Sequence, residues 1–315
     1  MPEILFVGHI SMDRIRNPRG EMFQPGGAAL YAAMGARTIC KDVAILSAVG
    51  EDYRFWEALS DIKGHIKTVK GKSTQFFITY DRYWNASYRR VFIGPGSKIT
   101  TRDLASALKS GFKMVHLAPM NPPKVERMVR AIKEQNCNVT VSVNSAIHYL
   151  DESSNRRAVL NAASLSDIFI LNERELHALT GTEVVSEAIR AIKTKTLVLT
   201  LGEMGTLIRS QEGIEFIPAM AAITKNAVDV TGAGDTWAGS FLAAYLRSGS
   251  WIKAVSFASV VSAIKCTGWN FEKIRNLSFK SVEEIYDLAI ALKERGRQLT
   301  LTDLVKRSER WEAEG

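Results

Sequence analysis

The strongest constraint on this chain is a recurrence of short, almost continuously apolar runs separated by longer stretches of helical periodicity. EILFVG (3–8), DVAILSAVG (42–50), KMVHLA (113–118), NVTVSVN (138–144), DIFILN (167–172) and TLVLTLG (196–202) read as strands, several of them buried on both faces. Helical patterns lie between them over 26–38, 51–60, 101–109, 123–135, 154–163 and 183–193. Alternation at this spacing predicts an α/β fold with a doubly wound, mostly parallel central sheet flanked by helices. Two stretches break the rhythm. Residues 62–93 hold three β-like runs with no helix between them and a turn at Tyr83, Trp84 and Asn85, which predicts a small antiparallel β lid too thin to own a core. Residues 204–218 predict a hairpin turning near Gln211–Gly213. From Gly234 onward the pattern is helical, and 298–315 is a charged tail or short helix.

Composition narrows the function classes. The chain has 315 residues, 46% hydrophobic and 23% charged, which suits a globular domain with a sizeable core. No apolar run approaches the roughly 20 residues that span a bilayer. The start, MPEILFVGHISMDR, lacks a basic leader region and reads as a first buried strand. Cys40, Cys137 and Cys266 are far apart and odd in number, which argues against a disulfide framework or a zinc cluster and for a reducing, cytoplasmic setting. The 41 basic residues exceed the 33 acidic ones by 8, but they are scattered. That pattern fits an anionic small molecule better than nucleic acid, and no membrane partner is expected.

Two familiar nucleotide motifs fail. Gly71-Lys72-Ser73-Thr74 resembles the end of a P-loop, yet Ile66 stands where the first glycine belongs and a strand follows instead of a helix. A dinucleotide fingerprint starting at Gly232 and Gly234 would need a glycine where Trp237 stands. Any nucleotide is held by another device.

DVTGAGDTWAGS (229–240) supplies one. Gly232, Ala233 and Gly234 lead into a helix, where unpaired backbone N–H groups and the helix dipole make an anion hole. Asp235 follows immediately. Its plainer reading is a helix N-cap; beside an anion hole it also suits a general base.

This stretch resembles the C-terminal signature of the ribokinase-like (PfkB) carbohydrate kinases, D-T-T-G-A-G-D-x-F-x-G, with Val230 and Trp237 as mild departures. The resemblance continues in order along the chain: Pro25-Gly26-Gly27-Ala28-Ala29 matches the N-terminal glycine pair, Asn172-Glu173-Arg174-Glu175 the N-x-x-E motif, and Thr200 to Gly205 the T-x-G-x-x-G turn. It implies a kinase domain over 1–297, with a lid formed mainly by about 62–93 and part of 10–24. By this resemblance Asp235 would be the general base, and Gly232, Ala233 and Gly234 would hold the phosphoryl group in transfer. Asn172 and Glu175 would organise nucleotide phosphates and Mg²⁺, Glu175 through water. Thr200, Gly202, Gly205, Thr231 and Gly268 would line the site of ATP. Asp13, Gly26, Gly27, Tyr31, Arg89 and Asn144 would face the acceptor. Taken singly, Asn172 and Glu175 read as a capping box and Arg89 as a solvated strand residue.

Tyr31 stands where ribokinases and fructokinases carry asparagine, and GHISMD with PGGAALYAA is more similar to the inositol kinase branch. The expected acceptor is therefore a sugar or cyclic polyol. The alternatives are a nucleoside, supported if Phe76, Phe77 or Tyr80 forms a stacking wall, and a non-catalytic ligand-binding relative. The exposed lid implies a homodimer.

Overall fold

The computed structural model describes residues 3–135, 138–219 and 227–294. Its first strands are β1 (Ile4–Val7), β2 (Ser11–Asn17), β3 (Gly20–Gly26), β4 (Val43–Gly50), β5 (Lys63–Val69), β6 (Gln75–Tyr80) and β7 (Ala86–Phe92). They are followed by β8 (Met114–Leu117), β9 (Thr140–Asn144), β10 (Ile168–Asn172), β11 (Thr196–Thr200), β12 (Gly205–Ser210) and β13 (Gly213–Pro218). The helices are α1 (Ala28–Arg37), α2 (Thr101–Leu108), α3 (Pro122–Glu134), α4 (Ser153–Leu165), α5 (Glu173–Thr180), α6 (Val185–Ala191), α7 (Ala233–Ser248), α8 (Trp251–Lys265) and α9 (Val282–Glu294).

The central sheet has the order β13-β12-β11-β10-β9-β8-β1-β4-β5. It is parallel from β11 to β5, and the β12–β13 hairpin closes one edge in antiparallel pairing. The two-residue period of the strands sorts side chains onto two cores. Ile4, Phe6, Ile168 and Ile170 face the layer of α1, α7 and α8, whereas Leu5, Val7, Phe169 and Leu171 face the core with residues from α2 to α6. Both faces are dry, as near-continuous apolar strands require.

The lid differs from the expectation in membership. Its four strands run β3-β2-β6-β7, with a parallel β2–β6 pair joining two antiparallel hairpins. Residues 63–69, expected in the lid, instead extend the central sheet as β5, parallel to β4. The cause is local: a single 3₁₀ turn, Trp56–Leu59, replaces the helix expected over 51–60 and returns the chain to the sheet edge. As an edge strand β5 stays largely exposed, so its KGHIKTV sequence lacks the apolar signature of its neighbours. Gly71–Thr74 leads into β6, and Ser73 ties Gly50 N–H and Asp52 together at 2.9 and 2.7 Å, a structural role. The tail over 298–315 lies outside the described residues. Among the described residues no helix is long and apolar enough to cross a membrane.

Candidate active site

A cavity of about 320 Å³ opens where the parallel strands end and the lid overhangs them. Pro119, Asn144, Asn172 and Thr200 reach it from just beyond β8 and from the last residues of β9, β10 and β11. The lid supplies Asp13 from β2, Phe76, Ile78 and Tyr80 from alternate positions of β6, and Tyr88 from β7. Gly232, Ala233, Gly234 and Asp235 close the floor at the start of α7.

Gly232 is the N-cap of α7, in the left-handed region at φ 70°, and no side chain caps this end. Asp235 is therefore not the cap. The first intrahelical bond runs from Thr236 N–H to Gly232 O at 2.8 Å, so the N–H groups of Gly234 and Asp235 precede the ladder. A Cβ built on Gly234 meets nothing within 4 Å: the space above this turn is open to a ligand. Free donors, helix dipole and open space together suit a phosphoryl group.

Three carboxyl groups share the cavity, and among the described residues no lysine or arginine lines it. Burial raises Asp235 to about 7, against the neighbouring Asn144 side chain, which lowers it. Burial raises Asp13 to about 7 as well, and Glu175 to about 8, the neighbouring Asp235 adding to the latter. The Tyr88 side chain is half exposed, but desolvation of its hydroxyl, and then Asp235, Asp13 and Glu175, push the phenol up to about 12, so all three carboxyls lie within electrostatic reach of one lid side chain. A carboxylate held in a dry wall without a counter-ion favours whatever brings positive charge to it. His9 also lines the cavity, and burial lowers it to about 4, so it is neutral near pH 7.

Asn172 and Glu175 form a reciprocal capping box at the start of α5: Glu175 N–H donates to Asn172 Oδ1 and Asn172 N–H to Glu175 Oε2, both at 3.0 Å. The plain structural reading is thus true, and the pair lines the cavity as well. One Glu175 oxygen is engaged by the cap; the other suits a hydrated cation. Among the described residues no cluster of three metal-ligating side chains exists, so a metal here would have to arrive with phosphate oxygens as its main ligands.

The remaining sequence-predicted residues divide. Thr231, Tyr31 and Gly27 line the cavity. Gly26 does not, but a Cβ there would lie 1.8 Å from Asp13 Oδ2, so it makes room for the Asp13 carboxylate. Gly202 and Gly205 shape the 3₁₀ turn between β11 and β12, beyond Thr200. Gly268 follows α8 and packs against Lys273, outside the cavity lining. Arg89 is not brought to the cavity. Strand alternation turns Tyr88 inward and Arg89 outward, where its Nε donates to Thr79 Oγ1 at 3.2 Å. For the same reason Phe76 and Tyr80 face in, while Phe77 faces the outer groove.

Residues absent from the sequence reading complete the wall. His148 and Tyr149 follow β9, their rings 4.1 Å apart, and Tyr88 lies 6.1 Å from His148. Asp229, which opens the DVTGAGD stretch, does not line the cavity but is fully buried under the turn, where its carboxylate accepts Thr231 N–H at 2.9 Å, Gln24 Nε2 at 3.0 Å and Asn270 N–H at 3.0 Å.

The pattern of the pfkB family carbohydrate kinases matches residues 1–269. Over 257 residues the chain is 31% identical to a cytidine kinase of Thermococcus kodakarensis, covering 78% of this chain and 90% of that one. Over 276 residues it is 24% identical to a deoxyribokinase of Salmonella typhi, covering 82% and 85%. Among solved structures, a ribokinase from Giardia lamblia superposes with a TM-score of 0.74 at 20% identity, covering 91% of this chain and 100% of that one. An E. coli structure in complex with ATP and Mg²⁺ superposes with a TM-score of 0.73 at 17% identity, covering 92% and 99%. The fold is ribokinase-like.

Proposed function

The chain belongs to the pfkB family of carbohydrate kinases, and from that membership and the chemistry of the cavity we infer that it transfers the γ-phosphoryl group of ATP to a hydroxyl of a nucleoside, with Asp235 as general base. The observation that carries this reading is the position of Asp235. It stands beside unpaired helix N–H groups, in one cavity with Asp13 on the lid side and Asn172–Glu175 at the strand ends.

Phosphoryl transfer asks a protein for alignment and charge neutralisation more than for covalent help. The acceptor hydroxyl gives its proton to an Asp235 carboxylate oxygen as its own oxygen bonds to the γ-phosphorus. The bond from that phosphorus to the bridging oxygen breaks, and ADP leaves with the electron pair. The N–H groups of Gly234 and Asp235 receive the charge on the equatorial oxygens. Asn144 shares the cavity with Asp235 and favours its ionised form. Glu175, with Asn172, would hold Mg²⁺ through water; that ion, when bound with the nucleotide, supplies neutralisation of phosphate charge. Asp13 binds acceptor hydroxyls, and the lid excludes water.

A nucleoside is favoured over a free sugar by the aromatic lining. Phe76, Tyr80, Tyr88 and Tyr149 with His148 offer a nucleobase ring faces and edges to pack against, and the most identical relative described above is a cytidine kinase. A sugar or cyclic polyol is the second reading, favoured by the polar end formed by Asp13 and Asn144 and by the deoxyribokinase relative. Pairing of two copies through the outer lid, where Phe23, Val91 and Phe92 are exposed, belongs to the same proposal, as does residence in the cytoplasm. The test is Mg²⁺-dependent ADP release across cytidine, inosine, adenosine, ribose, deoxyribose, fructose and myo-inositol. Highest kcat/KM on a nucleoside supports the first reading, highest on a sugar or polyol the second, and release with none of them contradicts both.

A further inference from the structure

Lys265 is the last residue of α8 and lies under the turn that leads to Gly232. Among the described residues it is the only lysine or arginine in the buried class, at 0% exposure. Its ammonium donates to two main-chain carbonyls of that turn, Asp229 O at 2.8 Å and Thr231 O at 2.5 Å. It also faces Asp229 Oδ2 at 3.6 Å and the Tyr31 ring at 5.3 Å from the centroid.

Pairing with Asp229 does not by itself explain this placement. The Asp229 carboxylate already accepts three neutral donors at 2.9–3.0 Å, from Thr231, Gln24 and Asn270, all closer than the ammonium. The short contacts of Lys265 are instead to the two carbonyls. Two carbonyl oxygens directed at one buried point repel each other unless a cation sits there, and a buried unsatisfied acceptor is costly. The turn they belong to ends at Gly232, whose conformation sets the direction of the Gly234 and Asp235 N–H groups. The Tyr31 ring borders both this cation and Gly232.

We propose that Lys265 is a positioning residue for phosphoryl transfer, a cation tethered by its own side chain that holds the Asp229–Thr231 turn so that the anion hole at the start of α7 stays in register. This rests on the phosphotransferase reading above. Truncation to Ala leaves a carbonyl-lined hole that a small monovalent cation fits and a bulky one does not.

The experiment compares wild type, Lys265→Ala and Lys265→Met in ammonium, potassium and tetramethylammonium chloride at equal ionic strength. Melting temperature of Lys265→Ala should rise in ammonium or potassium relative to tetramethylammonium, while wild type shows no such preference. Lys265→Met should lose about tenfold or more in kcat with KM for ATP changed by less than about threefold. Ammonium or potassium should restore kcat to Lys265→Ala and leave wild type unmoved. Because single removal leaves Asp229 as an unpaired buried charge, Lys265→Met/Asp229→Asn serves as the kinetic variant if Lys265→Met is insoluble, with the same loss expected. Equal melting temperatures of Lys265→Ala in all three salts, or near-wild-type kcat in the kinetic variant, overturns the proposal. Wild type that turns over no acceptor overturns the kinase reading, and the melting comparison then still decides whether the site holds a cation.

Discussion

Gly232 and Tyr31 are packed so closely that a Cβ on Gly232 would lie 2.3 Å from Cγ and Cδ2 of the Tyr31 ring. Tyr31 is buried, with its hydroxyl 3.2 Å from Gln24 Nε2, so the ring cannot give way without breaking the contacts behind it. The turn proposed as the anion hole is thus braced by an aromatic side chain on α1.

The two glycines of the turn should therefore fail differently. Gly232→Ala introduces a clash and a left-handed non-glycine residue (φ 70°), at a cost on the order of 1–3 kcal/mol, seen as a lower melting temperature. Gly234→Ala meets no atom within 4 Å and should melt near wild type. On the proposed mechanism its methyl group would occupy the space of the phosphoryl group, so kcat/KM for ATP should still fall about tenfold or more. Thermal melts and steady-state kinetics on both proteins check the contrast.

Asp13 should control the acceptor and not the nucleotide. Asp13→Asn is expected to raise acceptor KM by roughly 10-fold or more while KM for ATP stays within a factor of about two. Gly26→Ala should act in the same direction, because its new Cβ would lie 1.8 Å from Asp13 Oδ2 and displace that carboxylate.

The cavity carboxyls give a signed pH dependence. Asp13, Glu175 and Asp235 bind protons more tightly in the folded protein, at about 7, 8 and 7, than the ordinary values of 3.8, 4.5 and 3.8. Between those limits the folded state holds more protons than the unfolded one. Unfolding free energy from these groups is full below about pH 4 and is lost as pH rises through 7 to 8. Ligand-free protein should melt higher at about pH 5.5 than at about pH 8, and Asp235→Asn and Glu175→Gln should each flatten that slope. Activity runs the opposite way. Asp235 must be ionised to act as the proposed base, so kcat/KM should rise about tenfold per pH unit up to about 7 and then level.

The proposed nucleoside preference would reside in the aromatic wall. Tyr88→Ala removes the lid residue that faces Asp235, Asp13 and Glu175 and packs near His148. It should lower kcat/KM for a nucleoside by about tenfold and that for a free sugar by much less, as competition kinetics on the two substrates can show.

Much of this was legible in the residues. Apolar runs such as TLVLTLG are buried strands because both faces of the sheet are covered, and the Gln211–Gly213 turn falls where composition puts it. The site motifs were legible because glycines and an acid before a helix carry their geometry in the backbone. What escaped depends on long-range contact. Lys63–Val69 reads as lid because an edge strand has no apolar signature, and only its pairing with β4 assigns it. Arg89 lies one residue from an inward position, so a single step of strand register sends it outside. Lys265 sits 34 residues from Thr231 in an ordinary helical pattern, and no local signal marks its ammonium as buried.

The most direct measurement is kcat for wild type and Asp235→Asn with whichever acceptor gives Mg²⁺-dependent ADP release, alongside calorimetric ATP affinity for both proteins. With Asp235 as the base, kcat should fall about 10²–10⁴-fold with ATP affinity nearly unchanged. An Asp235→Asn protein that keeps near-wild-type kcat would contradict that role.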